Sequence, residues 1–110
     1  MHLSLLLVVQ KPPTGLMSAQ FVQVISRLQT APGPSERKHI LLALAGHVLT
    51  CHQLGMVLMN LKYSAERVSA ASMLALHVVD PENATSHLLP YLSWEEHSTR
   101  EEILRAFAGR

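Results

Sequence analysis

Four positions spaced at offsets of three, four and seven recur three times along this chain. They are Phe21, Val24, Ile25 and Leu28; then Leu54, Val57, Leu58 and Leu61; then Thr85, Leu88, Leu89 and Leu92. An α-helix turns once every ~3.6 residues, so each set falls on a single stripe of a helix, whereas a strand with its period of two would scatter it over both faces. The sets begin 33 and 31 residues apart. That spacing fits one helical unit used three times.

The unit has to be read against the size of the chain. With 110 residues there is room for one domain and no second core. Hydrophobic residues make up 48% and charged residues 15%, a balance that excludes a disordered chain. A formal net charge of +1 supplies no long-range field for gathering nucleic acid or acidic lipid. Aromatic residues, at 5%, are too few for a base-stacking platform, so nucleic acid is not an expected partner. Cys51 is the only cysteine, which excludes an internal disulfide and any four-thiolate zinc site. Such a thiol on an apolar helix reads as a small buried hydrophobe. The lack of disulfides fits a reducing compartment such as the cytoplasm, although secreted helical domains without them also exist.

Leu3 to Val9 is an apolar run without a basic start or a clear small-residue cleavage site, and Gln10-Lys11-Pro12-Pro13 stops it short of the ~20 residues a membrane span needs. Residues 1–16 are therefore read as an N-terminal tail, disordered or signal-like, or as an alternative start of a longer parent. Residues 17–110 are read as a single helical repeat domain. Ser18 is expected to cap the first helix, and Pro32-Gly33-Pro34 to end it. Ser35 is expected to open a second helix reaching about Leu49, with Ile40, Leu41, Leu44 and Val48 inward and Gly46 inside it for close approach. Thr50-x-x-Gln53 reads as a capping box, placing the third helix almost directly after the second and close beside it. Ser64 should cap a fourth helix running to about Val79. Asp80-Pro81-Glu82 should open a fifth, kinked or shortened by Pro90. Ser98-x-x-Glu101 is the favoured cap of a sixth, ending at Gly109.

Arg37, Arg67 and Arg100 stand just inside the second helix of each unit. One such hairpin cannot bury its apolar face alone, but three stacked hairpins can. The expected fold is all-α: three tandem helix hairpins, about six helices, stacked as a short right-handed repeat array or a compact bundle.

From Thr50 to Leu104 the chain carries Thr50-x-x-Gln53-Leu54, Val57-Leu58, Leu61-x-Tyr63-Ser64, Arg67 and Ala71. It continues with Val79-Asp80-x-x-Asn83, Leu92-x-Trp94, Arg100 and Glu102-Ile103-Leu104. In these motifs it resembles a small all-helical family, found in bacteria and animals, that is catalogued as a domain of unknown function. The departures are Leu54 for the family's Val, Leu61 and Leu92 for aromatics, and Pro90, which bear on the shape of the third unit. The motifs are caps and core positions. The resemblance thus implies the fold and names no catalytic residue, cofactor or substrate.

Chemistry-bearing clusters are correspondingly thin. His47 and His52 are five apart across a helix junction, where a helical metal pair wants four. Cys51 and His52 point about 100° apart on a helix, too far for a thiolate–imidazole pair. Glu95-Glu96 and Glu101-Glu102 read as helix-start carboxylates opposing the dipole. Asn83-Ala84-Thr85 fits a glycan acceptor, with a structural use for Asn83 equally at hand. No metal or cofactor is expected. Tyr63, Arg67, Trp94 and Arg100 form a candidate partner-binding row, set against a structural role in which the rings seal turns and the arginines meet carbonyls or acids. The expectation is a non-enzymatic module binding another protein, of unassigned oligomeric state. The alternative is a carrier of an apolar ligand in a pocket lined by Met56, Met59 and Met73.

Overall fold

The computed structural model describes residues 18–108. The expectations for the 1–16 tail and for a helix end at Gly109 lie outside the described residues. Among the described residues six helical segments build an all-α bundle. These are α1 (Ser18–Thr30), α2 (Pro34–Leu44), α3 (Cys51–Met59), α4 (Ser64–Leu74), α5 (81–92) and α6 (His97–Arg105).

Helices α1, α3 and α5 form one layer and α2, α4 and α6 the other. Helix α1 packs on α2 and α3, and α3 packs on α4 and α5. Helix α4 lies between α2 and α6. The core between the layers holds Phe21, 7% exposed, with Leu54 and Leu88 at zero. All four residues of the α3 stripe are buried. Of the first stripe, Val24 and Ile25 are half-buried against the core.

Several helix boundaries differ from expectation, each for a local reason. Helix α2 starts at Pro34 behind an extended Gly33 rather than at a Ser35 cap. The missing proline N–H costs nothing there, because first-turn donors have no intrahelical partner. Helix α2 ends at Leu44, five residues before the expected end. The N–H groups of Gly46 and His47 bond back three residues, to Ala43 and Leu44, and the chain then extends. Leu49 pairs in parallel with the 77–79 segment: its N–H donates to His77 O at 3.0 Å, and the Val79 N–H donates to Leu49 O at 2.8 Å. The pairing buries Leu49 and Val78 and leaves Val48, expected inside, exposed. The same pairing ends α4 at Leu74, followed by a 3-10 turn over Ala75–His77. With 48–50 extended, α2 packs on α1 and α4 rather than on α3.

The capping box of α3 is present in both halves. The Gln53 N–H donates to Thr50 Oγ1, and the Thr50 N–H donates to Gln53 Oε1, each at 3.1 Å. Helix α4 is capped by Glu66, which accepts from the Tyr63 and Lys62 N–H groups, rather than by Ser64. Neither candidate serine caps α6; its N-cap is Glu96, in extended conformation.

Helix α5 is not α-helical. A 3-10 turn at Pro81–Asn83 leads into a π turn at Ala84–Leu88 and a second 3-10 turn at Leu89–Leu92. Pro90 lacks the N–H a continuous α-helix would use, and the winding changes around it. The wider turn brings Ala84, Leu88 and Leu92 inward and puts Thr85, the expected first member of the third stripe, in solvent. The close approach assigned to Gly46 belongs instead to Gly55: a Cβ there would sit 2.4 Å from the Tyr91 ring of α5, whereas one at Gly46 would meet Ala43 O at 3.6 Å. Gly55→Ala is therefore expected to destabilise the fold by about 1–3 kcal/mol through overpacking, outweighing a gain of ~1 kcal/mol in helix propensity. Gly46→Ala should stay within about 0.5 kcal/mol of the parent. Urea unfolding of both variants checks this.

Candidate functional site

Two of the three arginines that sequence spacing singled out, Arg37 and Arg67, reach carboxylates of the next hairpin. Arg37 of α2 reaches Glu66 of α4 through two bonds, Nε to Oε2 at 2.8 Å and Nη2 to Oε1 at 2.9 Å. This is the two-pronged geometry a planar guanidinium makes with a carboxylate. Glu66 is thereby both the cap of α4 and the anchor of α2. Its carboxyl is held below the usual carboxylate range, first by the Arg37 hydrogen bond, against burial, and further by the Tyr63 and Lys62 amides.

The next joint repeats the chemistry with deeper burial. Arg67, 5% exposed, donates from Nε to Glu95 Oε2 at 2.5 Å and from Nη1 to Leu61 O at 2.8 Å. Ser64 Oγ lies 3.1 Å from Glu95 Oε1, and the Glu96 N–H donates to that same oxygen at 3.1 Å. Burial pushes the Glu95 carboxyl up. The bonds from Arg67, the Glu96 amide and Ser64 together outweigh it, so its pKa is lowered. Over the far face of Arg67 lies the Trp94 indole, 4.5 Å from the guanidinium carbon to the ring centroid. The ring is itself 57% exposed.

Of the four candidate residues, then, the structure brings Arg67 and Trp94 together. Tyr63, 50% exposed, sits at the α3–α4 turn with Lys62 Nζ 5.8 Å from its centroid. Arg100 is half-buried on α6; its backbone N–H donates to Glu96 O at 3.0 Å, and its guanidinium makes no hydrogen bond or ion pair among the described residues. Sequence reading missed Glu66 altogether and took Glu95 for a dipole-opposing acid. The available signal was their spacing: Glu66 follows Arg37 by 29 residues and Glu95 follows Arg67 by 28.

A third joint fixes the lone cysteine. Asp80, expected to cap its own helix, instead accepts the Cys51 N–H at 2.8 Å through Oδ1 and the Asn83 side-chain amide at 3.1 Å through Oδ2. It thereby supplies a carboxylate to the N-terminus of α3, where the helix dipole favours one. The fully buried Cys51 thiol donates to Asp80 O at 3.0 Å. Burial first, and then the neighbouring Asp80, push its pKa up to about 12. Such a thiol is a packing group held in its unreactive form. It should resist alkylation at pH 8 in the folded protein and react fully in denaturing urea, as read by mass spectrometry.

Next to Cys51 in sequence, His52 of α3 stacks on His87 of α5, with centroids 4.4 Å apart and planes at 19°, and its Nδ1 lies 3.3 Å from the Tyr91 hydroxyl. This contact depends on the π turn and left no trace in the spacing. Among the described residues no group of three or more His, Cys, Asp or Glu is placed to hold a metal ion. None of the described helices is long and apolar enough to cross a membrane. Met73 lines a groove of about 260 Å³ between α2 and α4, and Met56 one of about 180 Å³ between α1 and α3. Met59 is exposed, so the three methionines do not share a lining.

The two glutamates also set a pH dependence. Their carboxyls ionise at lower pH folded than unfolded, so the stability they contribute is complete above the unfolded value of about 4.3 and is lost as pH falls through it toward the folded value. The urea midpoint should therefore drop between pH 5 and pH 3. A variant carrying Glu66→Gln and Glu95→Gln should show a lower midpoint at pH 7 and a flatter dependence below it.

Residues 15–105 match the model of a family described as "Domain of unknown function (DUF4476)". No curated protein and no solved structure matches the chain.

Proposed function

The chain belongs to that family of domains of unknown function, and on this premise we propose that it is a non-enzymatic helical repeat module that binds another protein through the edge carrying Tyr63 and Trp94. Support for the repeat comes from matched joints. The helix-capping positions Gly33, Tyr63 and Glu96 stand each four residues before Arg37, Arg67 and Arg100. The first two of these arginines bond a carboxylate of the following hairpin. Gln29 to Asn60, at 3.1 Å, adds a polar contact between the tips of the first two hairpins.

The observation that carries the binding reading is the state of Trp94. Its indole is more than half exposed, yet it rests on a guanidinium that is itself buried and bonded to Glu95, Leu61 and Ser64. A large ring held on a rigid base and facing outward loses little freedom on binding, and Trp and Tyr are the side chains enriched at binding hot spots. The charged groups at the joints, by contrast, are already engaged with one another. A guanidinium cannot act as a base, and the Glu66 and Glu95 oxygens that would have to act are occupied by donors.

The carrier reading has less behind it. The grooves holding Met73 and Met56, about 260 and 180 Å³, fall below the roughly 300–1,000 Å³ of small-molecule pockets.

A photo-crosslinking residue in place of Trp94 or Tyr63, in the full chain expressed in its source cells, should give a discrete protein adduct. The same probe at the exposed Leu76 should not. Adducts at Leu76 but at neither ring, or a lipid retained in native mass spectrometry with no protein adduct, would overturn the proposal.

A further inference from the structure

Among the described residues the ladder of arginine–glutamate joints has two open ends, and they match. Arg37 and Arg67 each reach into the following hairpin for a carboxylate. Arg100 holds the same place on α6, four residues after its cap, and has no following hairpin among the described residues. At the other end, Glu36 stands in the first turn of α2, three residues after its cap, as Glu66 does on α4. Glu66 receives Arg37; Glu36 is exposed, and its carboxylate takes part in no hydrogen bond or ion pair among the described residues.

We infer that the outer face of α6 binds the outer face of the first hairpin in a second copy of this chain, with Arg100 of one copy donating to Glu36 of the next. The inference rests on the reading of the three hairpins as copies of one unit. Charge complementarity extends beyond the one pair. Glu36 shares a groove of about 370 Å³ with Arg27 and Ile40, at the α1–α2 end. Arg100 neighbours a groove of about 300 Å³ lined by Glu101, Leu104 and Arg105, at the α6 end. Each face thus carries an acid, a base and an aliphatic side chain, and Glu101 has only an exposed His97 at 3.5 Å as its ion-pair partner among the described residues. Leu104 corresponds to Leu41, which lies against the second hairpin in the groove between α2 and α4.

A contact between two different faces of one molecule is head-to-tail, so it does not close at a dimer and the assembly grows with concentration. Natural helical arrays avoid this with polar end units; here the half-buried Val24 and Leu104 leave both ends partly apolar.

Sedimentation equilibrium of the full chain over a wide concentration range tests the inference. The parent should show a reversible rise in average mass above one chain. Arg100→Glu alone and Glu36→Arg alone should each lose that rise, since each variant then presents like charges at both ends. An equimolar mixture of the two should recover it, because their ends are again complementary, and recovery also shows that both variants are folded. A parent that stays at one chain throughout overturns the inference, as does association untouched by either reversal or a mixture that fails to recover. None of these outcomes touches crosslinking at Trp94, so failure of the stacking and failure of the binding edge are told apart.

Discussion

A guanidinium taken out of water has to be met by a carboxylate and by further acceptors, or the fold loses several kcal/mol. Both deep joints of this bundle are answers to that demand. Arg67 finds Glu95, the Leu61 carbonyl and Ser64, and Arg37 finds both oxygens of Glu66. Aliphatic packing would tolerate sliding of one layer over another, because dispersion and hydrophobic burial have no direction. The paired bonds do not tolerate it. They set where α4 sits against α2, and where the Glu95 turn sits against α4. Trp94 is positioned as a by-product, since its ring lies over the guanidinium that these bonds hold in place.

The second constraint is steric. The absent side chain at Gly55 lets Tyr91 lie against α3, which draws α5 in close. Helix α5 meets that demand while carrying Pro90, and the mixed 3-10 and π winding is the compromise. A proline in the middle of a helix removes one hydrogen bond and clashes with the preceding turn. Changing the pitch on either side removes the clash while keeping Ala84, Leu88 and Leu92 in the core. The histidine pair on that face, His52 over His87, follows from the same rewinding.

The all-α class, the helix count and the core stripes of α1 and α3 were legible from spacing alone, because a stripe at offsets of three, four and seven has few other ways to be buried. The Thr50–Gln53 box was legible for a similar reason: its partners are three residues apart and need no tertiary information. What sequence reading missed is tertiary. It ran α2 on to Leu49 because Val48 and Leu49 continue an apolar pattern, and nothing local reveals that Leu49 pairs with a segment 29 residues away. It assigned Asp80 to its own helix start, the usual place for an acid before proline, although the carboxylate serves α3. The candidate row was half legible. Spacing found Arg67 and Trp94, but their mutual contact, and the glutamates that hold the arginines, belong to the packing of one hairpin on the next.

The parallel pairing of Leu49 with the 77–79 segment has an evolutionary corollary. Its bonds run between main-chain atoms, so the letters at these two junctions can drift among apolar residues while the link survives. Chain length there cannot drift: a single inserted or deleted residue would put an N–H where a carbonyl is needed and shear one hairpin against the next. Insertions should accumulate among relatives at the hairpin tips, while the two crossings keep a constant number of residues.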